Sequence, residues 1–168
     1  MKRFIPYLII LASVLLYNSN AEAQQKKNSR VREPAEATPI VVFVCEHGSA
    51  KSVVSAEHFN KLSRERNSKL RAISRGTNPD EQMPASTIKG LQADGISIGE
   101  QKPQKLSHSD FAGAVRVITF CELPDPFTNR VPVVRWDDVP PMSADYGRFR
   151  DIIVERIKRL LDELEPAK

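Results

Sequence analysis

The stretch Val41-Val42-Phe43-Val44-Cys45-Glu46-His47-Gly48-Ser49-Ala50-Lys51-Ser52 decides how this chain is read. Ile40 to Val44 is continuously apolar and rich in β-branched residues, as a strand buried on both faces should be. A short loop with Gly48 and Ser49 follows. From Ser52 to Arg66, Val53, Ala56, Phe59, Asn60 and Leu62 or Ser63 recur at helical spacing. Strand, loop and helix together gather backbone N–H groups above a helix N terminus, which is a ready anion site. A cysteine at that point would have its thiolate stabilised by those N–H groups and by the helix dipole. Lys51 adds a full charge, and the Ser52 hydroxyl can donate to the sulfur. Such a thiolate beside a cradle for a tetrahedral anion is equipped to attack a phosphoryl or arsenyl centre. The alternative is a structural cysteine buried at a strand end.

The pattern continues as α/β on either side. Leu70 to Ser74 reads as a second strand, Val115 to Phe120 as a third and Val131 to Val134 as a fourth, kept short by Pro132. Pro84 to Ala93 reads as a helix with Pro84 in its first turn, Ile88 and Leu91 inward and Gly95 just past its end. Phe149, Ile152, Ile153, Ile157, Leu160, Leu161 and Leu164 form one stripe of a last helix, capped by Ser143 or Asp145. Alternating strands and helices predict a parallel four-stranded sheet with helices on both faces, a three-layer sandwich. Ligands of such sheets sit at the carboxyl ends of the strands, where Cys45 lies.

The first residues stand apart. Lys2 and Arg3 precede an apolar run from Phe4 to Tyr17, and Ala21-Glu22-Ala23 follows. This reads as a signal peptide, residues 1–23, of an exported, periplasmic or secreted protein, with an uncleaved anchor as the alternative. Residues 24–38 are polar and read as a flexible tether. The domain then spans residues 39–168. The net charge of the whole chain is +4. Lys26, Lys27, Arg30 and Arg32 of the tether supply much of it, so the domain is close to neutral and nucleic-acid binding is not indicated. No membrane contact is expected after signal cleavage. His47, His58 and His108 are scattered without ligand spacing, and no metal or other cofactor is expected. Cys45 and Cys121, the two cysteines, would in an exported protein also be read as a disulfide.

Cys45-Glu46-His47-Gly48-Ser49-Ala50-Lys51-Ser52 resembles the C-x5-R-[ST] signature of the low-molecular-weight protein tyrosine phosphatases and the related thioredoxin-linked arsenate reductases. Ala56-Glu57 stands at the family's Ala-Glu. Ser74-Arg75-Gly76-Thr77 resembles its Ser-x-Gly-Thr, and the segment from Pro84 to Gly95-Ile96 resembles its Pro-led helix and turn. Val117 to Cys121, Trp136-Asp137-Asp138-Val139-Pro140 and Arg148 to Ile152 are similar to the third strand, acid loop and last helix of the arsenate reductases. The likeness runs from about Ile40 to Leu164.

The resemblance implies hydrolysis of phosphate monoesters, on a small molecule or a phosphoprotein, through a Cys45 phosphoenzyme. The backbone amides of Glu46, His47, Gly48, Ser49, Ala50 and Lys51 would bind the oxyanion, and Ser52 would tune the sulfur. Asp138, with Asp137 close behind, is the favoured general acid; Asp125-Pro126 is a third choice. Tyr146, Trp136 and Phe127 are the candidate aromatic walls. The chain also departs from the family pattern. Lys51 replaces an arginine that would grip two oxygens with a planar fork, which predicts a slower enzyme or a different oxyanion preference. Gly48 replaces an asparagine. Cys45 and Cys121 match the first two cysteines of the arsenate reductase relay, but no third follows. Arsenate reduction with Cys121 as redox partner, and a catalytically weak oxyanion-binding domain, are therefore the alternatives.

Overall fold

The computed structural model describes residues 38–124, 127 and 131–165. The expected signal peptide, nearly all of the tether and Asp125-Pro126 lie outside them. Strand β1, Ile40–Cys45, is an inner strand of the sheet, and Val41 to Val44 are wholly buried. It pairs in parallel with β2, Arg71–Gly76, on one side and with β3, Ala114–Thr119, on the other. Strand β4, Val133–Arg135, joins β3, also in parallel, to give the order β2-β1-β3-β4. This is the four-stranded parallel sheet of the α/β reading.

The alternation of β1 divides the core. Val41, Phe43 and Cys45 face the larger cluster, with Phe59, Leu91, Phe149, Ile153, Ile157 and Leu161. Those residues come from helices α1, Lys51–Glu65, α2, Ala85–Ala93, and α3, Tyr146–Leu164. Val42 and Val44 face the smaller cluster with Leu106, Phe111, Val117 and Leu123, and among the described residues a 3-10 helix, His108–Phe111, and loops cover this second face. The stripe of α3 is the one the sequence spells. Its fully buried Phe149, Ile153, Ile157 and Leu161 each contribute about 1.5–3 kcal/mol of apolar burial.

Local chemistry sets the ends. Asp145, not Ser143, caps α3, with Oδ1 accepting from Arg148 N at 2.9 Å. Pro84 sits one residue before α2, at its N-cap position, and Gly95 just beyond it has φ +73°. Strand β2 runs two residues past the expected Ser74. Gly76 N donates to Gln104 O and Leu106 N donates to Gly76 O, so a third segment extends the pairing there. Strand β4 starts after Pro132, whose carbonyl accepts from Val117 N. Asn60 of α1 pins β2 by accepting from Ala72 N and donating to Ala72 O.

Candidate active site

Cys45 ends β1 and is almost fully buried, at the base of the loop that leads into α1. Gly48 N donates to its sulfur at 3.2 Å, and Ser52 Oγ lies 3.1 Å from it. Gly48 brings its N–H there by a left-handed turn, φ +61°. A Cβ on Gly48 would lie 2.7 Å from Gly76 N, so the loop and the end of β2 touch backbone to backbone.

The loop carbonyls point away from the sulfur and are tied down by the segment after β2. Thr77 N donates to Cys45 O, Asn78 N to Glu46 O and Asp80 N to His47 O, at 2.8–3.1 Å. Among the described residues no acceptor engages the N–H groups of Glu46, His47, Ser49 or Ala50. No side chain caps α1, and Ala50 and Lys51 at its N terminus border the cavity above Cys45. The result is a ring of free N–H donors at the positive end of a helix dipole, with the sulfur among them.

That cavity holds about 500 Å³ and is lined by Cys45, the loop residues Glu46, His47, Ser49, Ala50 and Lys51, and by Asp80. Pro84, Ser86 and Thr87 border it at the start of α2, and Phe120 and Cys121 follow β3. Pro141, Met142 and Ser143 come from the turn before α3. Lys51 is its only Lys or Arg among the described residues. Cys45 and Cys121 are both free thiols and are not bridged. Burial pushes the Cys121 thiol up, only partly offset by its contact with the Thr119 hydroxyl.

Most expected site residues converge here, but the expected acids do not. Asp138 is exposed and held by both guanidinium nitrogens of Arg156 at 2.7 Å, which lower its carboxyl below the ordinary range. Asp137 is bound by Arg135. Neither lines the cavity. The aromatic walls also differ from expectation. Trp136 packs between Phe43 and Phe120, Tyr146 bonds to Asp94, and Phe127 stacks on His108 and Phe111. Phe120, Pro84, Pro141 and Met142 supply the apolar wall instead.

One residue, Asp80, was missed by sequence reasoning. Asp80 Oδ2 accepts from the buried Ser49 hydroxyl, and its Oδ1 lies 3.1 Å from His47 Nδ1. Nothing local marks Asp80, because its partners lie some thirty residues earlier and meet it only through the β1–β2 pairing.

Residues 40–126 match the family described as low molecular weight phosphotyrosine protein phosphatase. No curated protein matches the sequence. Among solved structures the chain is similar to an arsenate reductase from Archaeoglobus fulgidus, at 28% identity and TM-score 0.58, covering 72% of this chain and 98% of that one. It is similar to a low molecular weight protein tyrosine phosphatase from T. tengcongensis, at 19% identity and TM-score 0.60, covering 74% and 99%. It also superposes on a mutant of the arginine phosphatase YwlE, a Bacillus subtilis protein, with a phosphorylated active-site serine. That match has 14% identity and TM-score 0.68, and covers 77% and 97%. The last two likenesses speak for the fold alone. With the parallel sheet, the cysteine loop and the family match over residues 40–126, the chain belongs to the low molecular weight phosphotyrosine protein phosphatase family.

Proposed function

We propose that the protein hydrolyses phosphate monoesters through a phosphoenzyme on Cys45. The observation that carries this reading is the Cys45 sulfur, set among the open N–H groups of its loop at the base of a cavity that also holds Lys51. Cys45 Sγ attacks phosphorus, an S–P bond forms, and the ester oxygen leaves with the P–O bonding pair and a proton. The loop N–H groups and Lys51 hold the charge that gathers on the equatorial oxygens. Water then attacks phosphorus, the S–P bond breaks, and Gly48 N–H and Ser52 Oγ stabilise the departing sulfur. Because Lys51 offers one point charge and no fork, transition-state binding is weaker than an arginine would give. The test is hydrolysis of an aryl phosphate by the full chain in reductant. Turnover that Cys45→Ser abolishes supports the reading. Anion binding without turnover replaces it with an oxyanion-binding domain.

Arsenate reduction is the second reading, favoured by one observation: both free thiols border the same cavity. Cys45 and Cys121 would give up two electrons, closing a disulfide as As(V) becomes As(III), and an external dithiol would reopen it. It ranks second because burial pushes the Cys121 thiol up, which disfavours the thiolate that would have to attack. Arsenate-dependent consumption of a dithiol separates the two. We also propose export, from Lys2, Arg3, the Phe4 to Tyr17 run and Ala21-Glu22-Ala23; N-terminal sequencing of the mature protein tests it.

A further inference from the structure

Expulsion of the ester oxygen needs a proton donor. The turn before α3 brings Pro141, Met142 and Ser143 to the cavity and no carboxyl group. Asp137 and Asp138 are engaged by Arg135 and Arg156 away from it. The acidic and basic side chains that do border the cavity are Glu46, His47, Lys51 and Asp80. Lys51 serves the oxyanion. Asp80 has both oxygens occupied, Oδ2 by the Ser49 hydroxyl and Oδ1 by His47 Nδ1, which suits it to orient a neighbour and not to give up a proton. Glu46 is exposed, and its carboxylate approaches His47 Nε2 no closer than 3.9 Å.

His47 is 56% exposed, yet it is tied to the segment after β2. It is held to Asp80 twice, by Asp80 N donating to His47 O at 3.0 Å and by Nδ1 against Oδ1 at 3.1 Å. Asp80 is in turn fixed by Ser49, which is 1% exposed. Nδ1 thus faces the Asp80 carboxylate, and Nε2 is without a hydrogen-bond partner among the described residues. A histidine that borders a nucleophile's cavity with one nitrogen against a carboxylate has the arrangement that makes imidazole a proton carrier.

We infer that His47 is the general acid of this reaction and that Asp80 is the residue that positions it. The inference rests on the phosphatase reading above. In the first step protonated His47 donates from Nδ1 to Asp80 and from Nε2 to the ester oxygen. The P–O bond breaks, the leaving oxygen keeps the bonding pair and takes the Nε2 proton, and the ring is left neutral. In the second step Nε2 takes a proton from the attacking water as the S–P bond breaks, which restores the protonated ring and the Cys45 thiolate. The groups facing the ring are Asp80 and Glu46, with Lys51 and Cys45 bordering the same cavity.

The leaving group reports on this role. Dinitrophenyl phosphate expels a stable anion and needs little acid help, whereas phenyl phosphate needs it. With the full chain, kcat/KM reads the first step for each. His47→Ala is expected to lower kcat/KM for phenyl phosphate by about a hundredfold or more, and that for dinitrophenyl phosphate at least about tenfold less steeply. Asp80→Asn should show the same grading with a smaller amplitude, and free imidazole should restore part of the phenyl phosphate activity of His47→Ala. Equal losses on both substrates would assign His47 a merely structural part in the loop and overturn the inference. So would a graded loss seen with Asp137→Asn or Asp138→Asn in place of His47→Ala. Turnover of neither substrate by the parent protein removes the phosphatase reading itself, and this role with it.

Discussion

Tyr146 Oη donates to Asp94 Oδ2 at 2.6 Å, joining the first residue of α3 to the residue that follows α2. His58 Nε2 from α1 reaches the same oxygen at 3.1 Å, and Arg150 donates to Oδ1 at 2.9 Å. One carboxylate therefore ties α1, α2 and α3 together. A hydrogen bond to a charged acceptor in a half-buried setting is worth about 1–2 kcal/mol, so Tyr146→Phe should lower unfolding stability by that amount in a denaturant titration. An unchanged midpoint would show that the hydroxyl contributes nothing.

The same cluster gives a pH dependence with a definite sign. Burial is the larger effect on His58 and lowers it below its ordinary 6.5 despite Asp94. Burial alone would raise Asp94, but the hydrogen bonds from Tyr146 and Arg150 and the nearby positive charges outweigh it and leave it below its ordinary 3.8. In both cases the folded state binds fewer protons than the unfolded chain, so stability rises with pH. The His58 contribution is complete above about pH 6.5 and is lost as the pH falls through its lowered folded value; that of Asp94 is complete above 3.8 and lost below it. Stability measured at pH 7 and pH 5 should decline, and His58→Gln should flatten that interval. A rise on acidification would contradict the assignment.

Gly48→Ala should damage both fold and site. The left-handed φ disfavours a Cβ, and the Cβ would meet Gly76 N at 2.7 Å. A loss of more than about 1 kcal/mol is expected, together with reduced turnover, because the N–H that reaches the sulfur is displaced. A variant of normal stability and activity would mean that the loop has room it does not show.

Thr87 borders the active cavity, yet its hydroxyl is buried without a partner. Thr87→Val keeps the shape and removes the orphaned group, so stability should hold or rise by about 1–2 kcal/mol. Destabilisation by more than about 1 kcal/mol would show that the hydroxyl has a partner after all.

What was legible in the sequence was what depends on local pattern. The apolar run of β1, the stripe of α3 and the Cys45 to Ser52 loop carry their periodicity and spacing in plain view, and they place the sulfur correctly. The rest depends on pairings between distant residues. The 3-10 helix His108–Phe111 has no helical stripe; it is fixed by a Ser107–Asp110 capping box and by Arg75 from β2. Asp80 looks like any loop aspartate until β2 carries it to Ser49. Asp137 and Asp138 looked like acids of the site because of their place in the chain, and only Arg135 and Arg156 show that they are engaged elsewhere.

The most direct measurement is to capture the intermediate. Full-length protein in reductant is mixed with an aryl phosphate, quenched in acid within the first turnover and digested for mass spectrometry. The account predicts one phosphoryl group on the peptide containing Cys45, absent from Cys45→Ser treated alike, and faster formation in Lys51→Arg by about tenfold or more. Turnover without any phosphoryl group on Cys45, or with the group on another residue, would contradict it.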